Sequence, residues 1–194
     1  MAGRPREFDR EAALIKARNL FWQHGFDGTS LADLVDELGI ASARIYKAFG
    51  SKEALFREAV EHYEDHEGRF GAQALAEPDL RTAIRTLLIS AIALYTGQQQ
   101  PGGCMVVSSG HALSEEHHQL QQWLEAKRVS RTQQIVARFQ QAVTCGELSQ
   151  SGDAVALGQF YATVLHGLSV QARDGATPET LHPVVDLALM LLPK

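Results

Sequence analysis

Residues 30–49 read SLADLVDELGIASARIYKAF, and this stretch decides the fold. Apolar side chains recur at helical spacing on both sides of Gly39, which predicts two short amphipathic helices joined by a tight turn. That order is typical of a helix-turn-helix, whose second helix enters the major groove of DNA. The outer face of the second helix would then carry Ser42, Ala43, Arg44 and Lys47.

Arg44 is the strongest candidate for reading a base. A guanidinium can form a bidentate pair with guanine, which is worth about 1–3 kcal/mol of discrimination against other bases. The small side chains beside it would let the helix approach the bases closely. Short helix pairs also occur in proteins that do not bind DNA, so the pattern by itself leaves an ordinary packed helix pair as the alternative.

The rest of the chain is also helical in pattern. Six prolines are separated by long stretches of helical apolar spacing, which predicts an all-α protein of about nine helices. We expect an N-terminal three-helix helix-turn-helix domain, followed by a larger C-terminal helical domain. The predicted helices span about 9–24, 31–38, 42–49, 51–76, 79–97, 104–113, 114–146, 153–174 and 177–192, with a kink or a late start possible at Pro183.

Composition narrows the class of protein. The chain has 194 residues, 45% of them hydrophobic, and a formal net charge of −5, which excludes a disordered chain and a protein that coats nucleic acid with overall positive charge. Two cysteines exclude a disulfide-rich scaffold. No apolar run of about 18 residues and no secretory signal is found, so we expect a cytoplasmic protein without a membrane-spanning segment.

Charge is distributed unevenly along the chain. Residues 1–63 hold nine of the 18 basic residues and ten acidic ones, whereas residues 64–194 hold nine basic and 13 acidic residues. The first third is therefore about neutral, and folding could separate the two signs into a local basic face. Ordinary solvated helix faces would give the same composition.

Residues 29–55 resemble the tetracycline-repressor (TetR/AcrR) family of bacterial transcription regulators, and the resemblance extends over about residues 3–63. A dozen features occur in the family's order. They are Ala17, Phe21, the HGF of 24–26, Thr29, Leu34, Gly39-Ile40, Ile45-Tyr46, Phe49 and the SKEAL of 51–55.

The resemblance implies a homodimer that binds a near-palindromic operator and releases it when a small effector enters the C-terminal domain. Residues 1–50 would form the DNA-binding domain and residues 51–194 the ligand-binding and dimerisation domain, with helix four, 51–76, connecting them. Dimerisation would use the last two helices. The family default is repression, without a cofactor.

The family pattern also assigns site residues. Thr29, Tyr46 and Lys52 would contact phosphates, and the outer face of the third helix would read bases. Lys47 is either a further phosphate contact or idle. Position 41 is Ala where many members have Ser or Thr, so Ser42 could take over the cap and the phosphate contact. Arg4 and Arg6 could enter a minor groove or carry idle charge.

The effector pocket should lie among helices five to eight. Its aromatic and apolar candidates predict a hydrophobic or weakly polar effector, although each could equally be a core residue. The candidates are Tyr95, Met105, His111, Trp123, Phe139, Phe160 and His166.

Cys104 raises an alternative, a repressor that senses oxidants or electrophiles through a thiol. It follows a Gly-rich break and begins a short helix, whose N-terminus favours a thiolate, but a small buried core residue is the simpler interpretation. His62 and His66 lack a third ligand at fixed spacing, so we expect no metal site. No G-x-S-x-G, P-loop or G-x-G-x-x-G motif is present, so we expect no enzyme, and a helical protein–protein adaptor is the remaining alternative.

Overall fold

The computed structural model describes residues 8–98, 100–109, 113–149 and 153–192. These residues form ten α-helices and two short 3₁₀ turns, with no strand among them. The helices are α1 Arg10–His24, α2 Leu31–Leu38, α3 Ser42–Phe49, α4 Lys52–Asp65, α5 Phe70–Leu75, α6 Leu80–Tyr95, α7 Met105–Ser108, α8 His118–Thr144, α9 Ala154–Arg173 and α10 Pro178–Leu189.

Local capping explains the predicted helix-turn-helix. Ser30 and Asp33 form a reciprocal capping box at the start of α2, in which each side chain accepts a hydrogen bond from the other residue's backbone N–H. α2 ends at Gly39, which adopts a left-handed conformation with φ 67° that residues with a Cβ rarely adopt. The chain therefore turns sharply and enters α3 two residues later.

Aromatic packing joins this helix pair to α1 and α4. Phe21 packs edge-on against Phe56 of α4, with ring centroids 5.1 Å apart. Leu34 of α2 and Ile45 of α3 are buried against the same core. α4 thus forms the floor of the N-terminal domain while its far end extends toward the C-terminal helices.

The prediction that helix four continues to residue 76 is wrong. α4 ends at Asp65, and His66 leaves the helical conformation with φ −114° and ψ −80°. A 3₁₀ turn at Glu67–Arg69 and the short helix α5 follow. Two contacts hold this break: His66 Nδ1 lies 2.8 Å from the His62 carbonyl, and Glu67 pairs with the buried guanidinium of Arg18 at 2.7 Å.

Smaller differences concern the later helices. α7 covers four residues, Met105–Ser108, where a helix to residue 113 was expected, and residues 110–112 lie outside the described part. Ser114 precedes a 3₁₀ turn and makes no side-chain cap. α10 begins at Pro178 and runs through Pro183, so the late start at 183 is excluded.

The C-terminal domain is organised around the long helix α8. α9 packs along it so closely that a Cβ on Gly158 would lie 2.6 Å from the Cα of Val136. α6 and α10 cover the other side of α9. Large apolar side chains nevertheless remain exposed on the last two helices, namely Val155, Phe160, Val170, Val184 and Leu187, and Met190 and Leu191 just beyond α10. No helix in the described ranges is long and apolar enough to cross a membrane.

Candidate nucleic-acid interface

The two faces of α3 are divided as the helical period predicts. Ile45 and Phe49 point into the core and are buried, whereas Arg44 and Lys47 are exposed on the opposite side. Ala43 is exposed beside them, and Tyr46 keeps 45% of its surface accessible. The described chain therefore presents one short helix with a small residue, two cations and a phenol on its outer face.

The N-terminus of α3 differs from the expectation for Ser42. Ala41 occupies the cap position with extended backbone, and no side chain caps the helix there. Ser42 is already the first helical residue and is half-buried, so the expected takeover of the cap by Ser42 is wrong. Its hydroxyl stays at the edge of the outer face, beside Ala43.

Thr29 has a structural position, and the expected phosphate contact of its side chain is not available in this conformation. It is fully buried, and its hydroxyl donates a hydrogen bond of 2.7 Å to the Gly25 carbonyl at the end of α1. A hydroxyl without accessible surface cannot reach a phosphate outside the domain. Thr29 instead fixes the turn that places α2 after α1.

Lys52 lies at the first residue of α4, where the helix dipole already favours an anion. Its ammonium lies 4.2 Å from the ring centroid of Phe26, a cation–π contact that fixes the side chain. Partial burial lowers the pKa of Lys52, and the carboxylates of Asp27 and Asp33 oppose that shift. The result is a fixed positive charge beside the helix-turn-helix.

Phe8 brings the N-terminal segment next to α3. The guanidinium carbon of Arg44 lies 5.2 Å from the Phe8 ring centroid, so the residue just before α1 borders the outer face of α3. Arg4 and Arg6 lie outside the described residues, and their expected role in a minor groove stays a prediction.

Arg10 is a supporting residue that the sequence analysis missed. Its guanidinium donates to both carboxylate oxygens of Glu58 on α4, at 2.5 and 2.7 Å, and to the Ala48 carbonyl of α3 at 3.3 Å. It also lies over the Phe49 ring at 4.5 Å. One side chain thus ties α1, α3 and α4 together and fixes the orientation of α3.

Comparison with known proteins identifies this arrangement. Residues 14–59 match the family model described as bacterial regulatory proteins, tetR family. The chain is 32% identical to the HTH-type transcriptional repressor ComR of Escherichia coli K12 over 197 residues, which cover 99% of this chain and 92% of ComR. The chain belongs to the tetR family.

Two further relatives agree with this assignment. The HTH-type transcriptional repressor BdcR of Escherichia coli K12 is 32% identical, over 92% of this chain and 86% of BdcR. A cysteine-substituted form of the TetR family transcriptional regulator CifR, solved with 26-bp double-strand operator DNA, superposes with a TM-score of 0.92 at 39% identity, over 98% of this chain and all of that chain. This tetR family chain is a DNA-binding transcription regulator.

The seven residues expected to line an effector pocket do not share one cavity in this tetR family chain. Tyr95, Met105 and Phe139 are buried in the core, where Phe139 stacks on Tyr161 with centroids 5.3 Å apart. Their helical spacing therefore reflects core packing. Trp123 is half-buried between the cations of Arg57 and Lys127, Phe160 is exposed, His166 lines a surface groove, and His111 lies outside the described residues.

Two cavities lie elsewhere in the C-terminal domain. A groove of about 850 Å³ runs between α8 and α9 and includes Val136, His166 and Val170. A cleft of about 400 Å³ lies between α4, α5 and α8, with Glu64 and Arg131 on its wall. The second cleft borders α4, the helix that begins at Lys52.

Arg173, at the end of α9, connects the two parts of the molecule. Its guanidinium donates to the carbonyls of Trp22 and Gln23 at the end of α1, at 3.1 and 2.7 Å, and to the Gly102 carbonyl at 3.3 Å. On the other side of the junction, Asp27 accepts a hydrogen bond from the Ser114 amide at 2.6 Å. The helix-turn-helix is therefore fastened to the C-terminal helices at two points.

Proposed function

We propose that two copies of this chain bind a near-palindromic operator and repress transcription until a small effector enters the C-terminal domain. The outer face of α3 carries the proposal, because its apolar residues are buried and its cations are exposed. Ser42, Ala43, Arg44 and Lys47 would face base edges, with Arg44 bidentate to guanine. Tyr46 and Lys52 would bind phosphates and set the position of the helix on the duplex.

The relatives support this assignment. ComR and BdcR are named as transcriptional repressors, and CifR was solved with operator DNA. By analogy with them, residues 1–50 form the DNA-binding domain and residues 51–194 the sensing and dimerisation domain. The connection between them is α4, Lys52–Asp65, with the turn and α5 that follow.

We infer that the dimer forms through α9 and α10. Apolar side chains left exposed on these helices include Val184 and Leu187, and two copies of this face would bury each other across a two-fold axis. A two-fold dimer places two copies of α3 about 34–36 Å apart, one turn of DNA. The operator would then consist of inverted half-sites.

The effector would act on this spacing. A ligand shifts an equilibrium between two conformations only by its difference in affinity for them, typically 1–3 kcal/mol of coupling. The apolar walls of the α8–α9 groove fit a hydrophobic or weakly polar molecule. The proposal includes no catalytic step and no cofactor.

Selection from random duplex DNA tests the proposal. The wild-type protein should enrich an inverted repeat, and Arg44→Ala should abolish that enrichment. Arg85→Ala is the matched control, because it removes an exposed arginine outside the helix-turn-helix. Enrichment that survives Arg44→Ala, or no enrichment by the wild type at low salt, would contradict the proposal.

A further inference from the structure

A cluster of buried polar side chains surrounds Cys104, away from the proposed DNA-binding face. The Cys104 thiol has no exposed surface, and one guanidinium nitrogen of Arg131 lies 3.6 Å from its sulfur. The phenols of Tyr63 and Tyr95 lie beside the same thiol. Burial, and then the neighbouring Cys104, raises the pKa of both phenols well above the ordinary value, so both stay protonated at neutral pH.

Tyr63 has an unused hydrogen-bonding group in this cluster. Its side chain is fully buried, and its hydroxyl has no hydrogen-bond partner of normal geometry in the described residues. A buried hydroxyl without a partner costs about 1–3 kcal/mol, and such a group in a native protein is a sign of a function or a missing ligand. The free donor lies next to a nucleophilic sulfur.

Arg131 connects this cluster to the outside. It lies on the wall of the 400 Å³ cleft between α4, α5 and α8, and its other contact is the Cys104 sulfur. Glu64 of α4 lies on the same wall, 3.7 Å from the guanidinium, and also pairs with Lys127. A rotation of the Arg131 side chain would therefore open a route from the cleft to the thiol.

We propose that Cys104 is a covalent effector site for small α,β-unsaturated carbonyl compounds that enter through this cleft. The sulfur forms a bond to the β-carbon, the carbon–carbon π bond breaks, and the thiol proton ends on the α-carbon, so no oxidant and no leaving group is needed. Arg131 stabilises the negative charge that develops on sulfur. The free hydroxyl of Tyr63 donates a hydrogen bond to the carbonyl oxygen of the incoming molecule.

The position of the second thiol favours a carbon adduct over an internal disulfide. The chain has two cysteines, and Cys145 directly follows α8, 14 residues beyond Arg131. At 1.5 Å per residue this is about 21 Å along the helix. A disulfide needs Cα atoms within about 7 Å, so Cys145 cannot pair with Cys104 in this fold.

An adduct at Cys104 would displace α4, which is the step that rests on the proposed function. The backbone at Cys104 is held on the α9 side, where its amide donates to the Ser169 hydroxyl at 2.8 Å and a Cβ on Gly103 would lie 2.7 Å from the Ser169 carbonyl oxygen. Tyr63 and Glu64, on the opposite side, belong to α4. Because α4 begins at Lys52, its displacement would move the helix-turn-helix.

Labelling with N-ethylmaleimide, itself an α,β-unsaturated carbonyl compound, tests the site without DNA. In a Cys145→Ser background, mass spectrometry should find one adduct, mapped to Cys104. Tyr63→Phe and Arg131→Met should each slow its formation at least fivefold, and Arg131→Lys should slow it less than Arg131→Met. An unmodified Cys104 under conditions that fully label Cys145 in the wild type, or equal rates in all variants, would overturn the site.

Release of operator DNA tests the regulatory step. The reagent should dissociate wild-type and Cys145→Ser protein from the selected repeat and leave Cys104→Ser bound. Protein that carries the Cys104 adduct and stays bound would overturn the regulatory step. Wild-type protein that selects no repeat would instead contradict the proposed function, and the labelling result would still decide whether the site exists.

Discussion

Arg138 shows how much a single buried side chain stabilises the C-terminal domain. It is only 4% exposed and donates to both carboxylate oxygens of Glu147 at 3.1 Å, as well as to the carbonyls of Glu77 and Pro78. Glu147 in turn accepts a hydrogen bond from the Leu80 amide at 2.6 Å, so the pair fixes the start of α6 against the end of α8.

Removing the arginine should leave these acceptors without a donor. We expect Arg138→Met to lower the free energy of unfolding by about 3 kcal/mol, the low end of the range for breaking a buried ion pair, because Glu147 is partly exposed. Urea denaturation measures the change, with the exposed Arg85→Met as control. A loss below about 1 kcal/mol, or an equal loss in the control, would contradict this role.

The same ion pair predicts a pH dependence. The hydrogen bond from Arg138 lowers the pKa of Glu147 below its ordinary value, so the folded state favours the ionised carboxylate. Its contribution to stability is full above the ordinary glutamate pKa and is lost as the pH falls through the lowered one. The difference in unfolding free energy between wild type and Glu147→Gln should therefore shrink with acidification, and a constant difference would argue against it.

Residue roles were predictable from sequence where they depend on helical period. The buried Ile45 and the exposed Arg44 follow from their spacing on α3. The burial of Thr29 and the contact between Arg10 and Glu58 do not, because the first depends on how the α1–α2 turn folds and the second joins residues 48 positions apart. No local pattern encodes such contacts.

At the scale of helices, boundaries were predictable where glycine or a capping side chain marks them. Ser30 and Gly39 bound α2 as expected. The end of α4 at Asp65 has no such mark, because the break at His66 is held by the distant Arg18, which pairs with Glu67. A helical pattern that continues across such a contact reads as one helix.

The crossing of α8 and α9 gives a prediction with a matched control. Gly158→Ala should destabilise the protein, because the new Cβ would lie 2.6 Å from the Val136 Cα, a backbone atom that cannot rotate away. Gly167→Ala on the same helix meets no atom within 4 Å and should stabilise it by up to about 1 kcal/mol through helix propensity. Thermal unfolding of both variants measures the two signs, and a stabilised Gly158→Ala would refute the close crossing.

For the molecule as a whole, the all-helical architecture and the helix-turn-helix were predictable, and the effector pocket was not. Aromatic residues at helical spacing can fill a core or line a cavity, and the sequence pattern is the same in both cases. Here Phe139 and Tyr95 fill the core, while the cavities are lined largely by other residues. The junction made by Arg173 with α1 was equally invisible, because it joins residues about 150 positions apart.

The exposed apolar face of α9 and α10 predicts the assembly. Leu187 is 65% exposed, and a carboxylate in its place would be buried without a partner in the proposed dimer. Leu187→Asp should give a monomer in analytical ultracentrifugation and weaken operator binding at least tenfold. Gln73→Asp, on exposed α5, is the control and should remain dimeric. A dimeric Leu187→Asp protein would place the interface elsewhere.

The spacing of the operator half-sites tests the central claim most directly, that a dimer inserts two α3 helices into successive major grooves. Fluorescence anisotropy would compare the selected repeat with a repeat lengthened by five base pairs, about half a turn, between the half-sites. The account predicts that the insertion lowers affinity to that of a single half-site, because the two grooves then face opposite sides of the duplex. Equal affinity for both duplexes would contradict it.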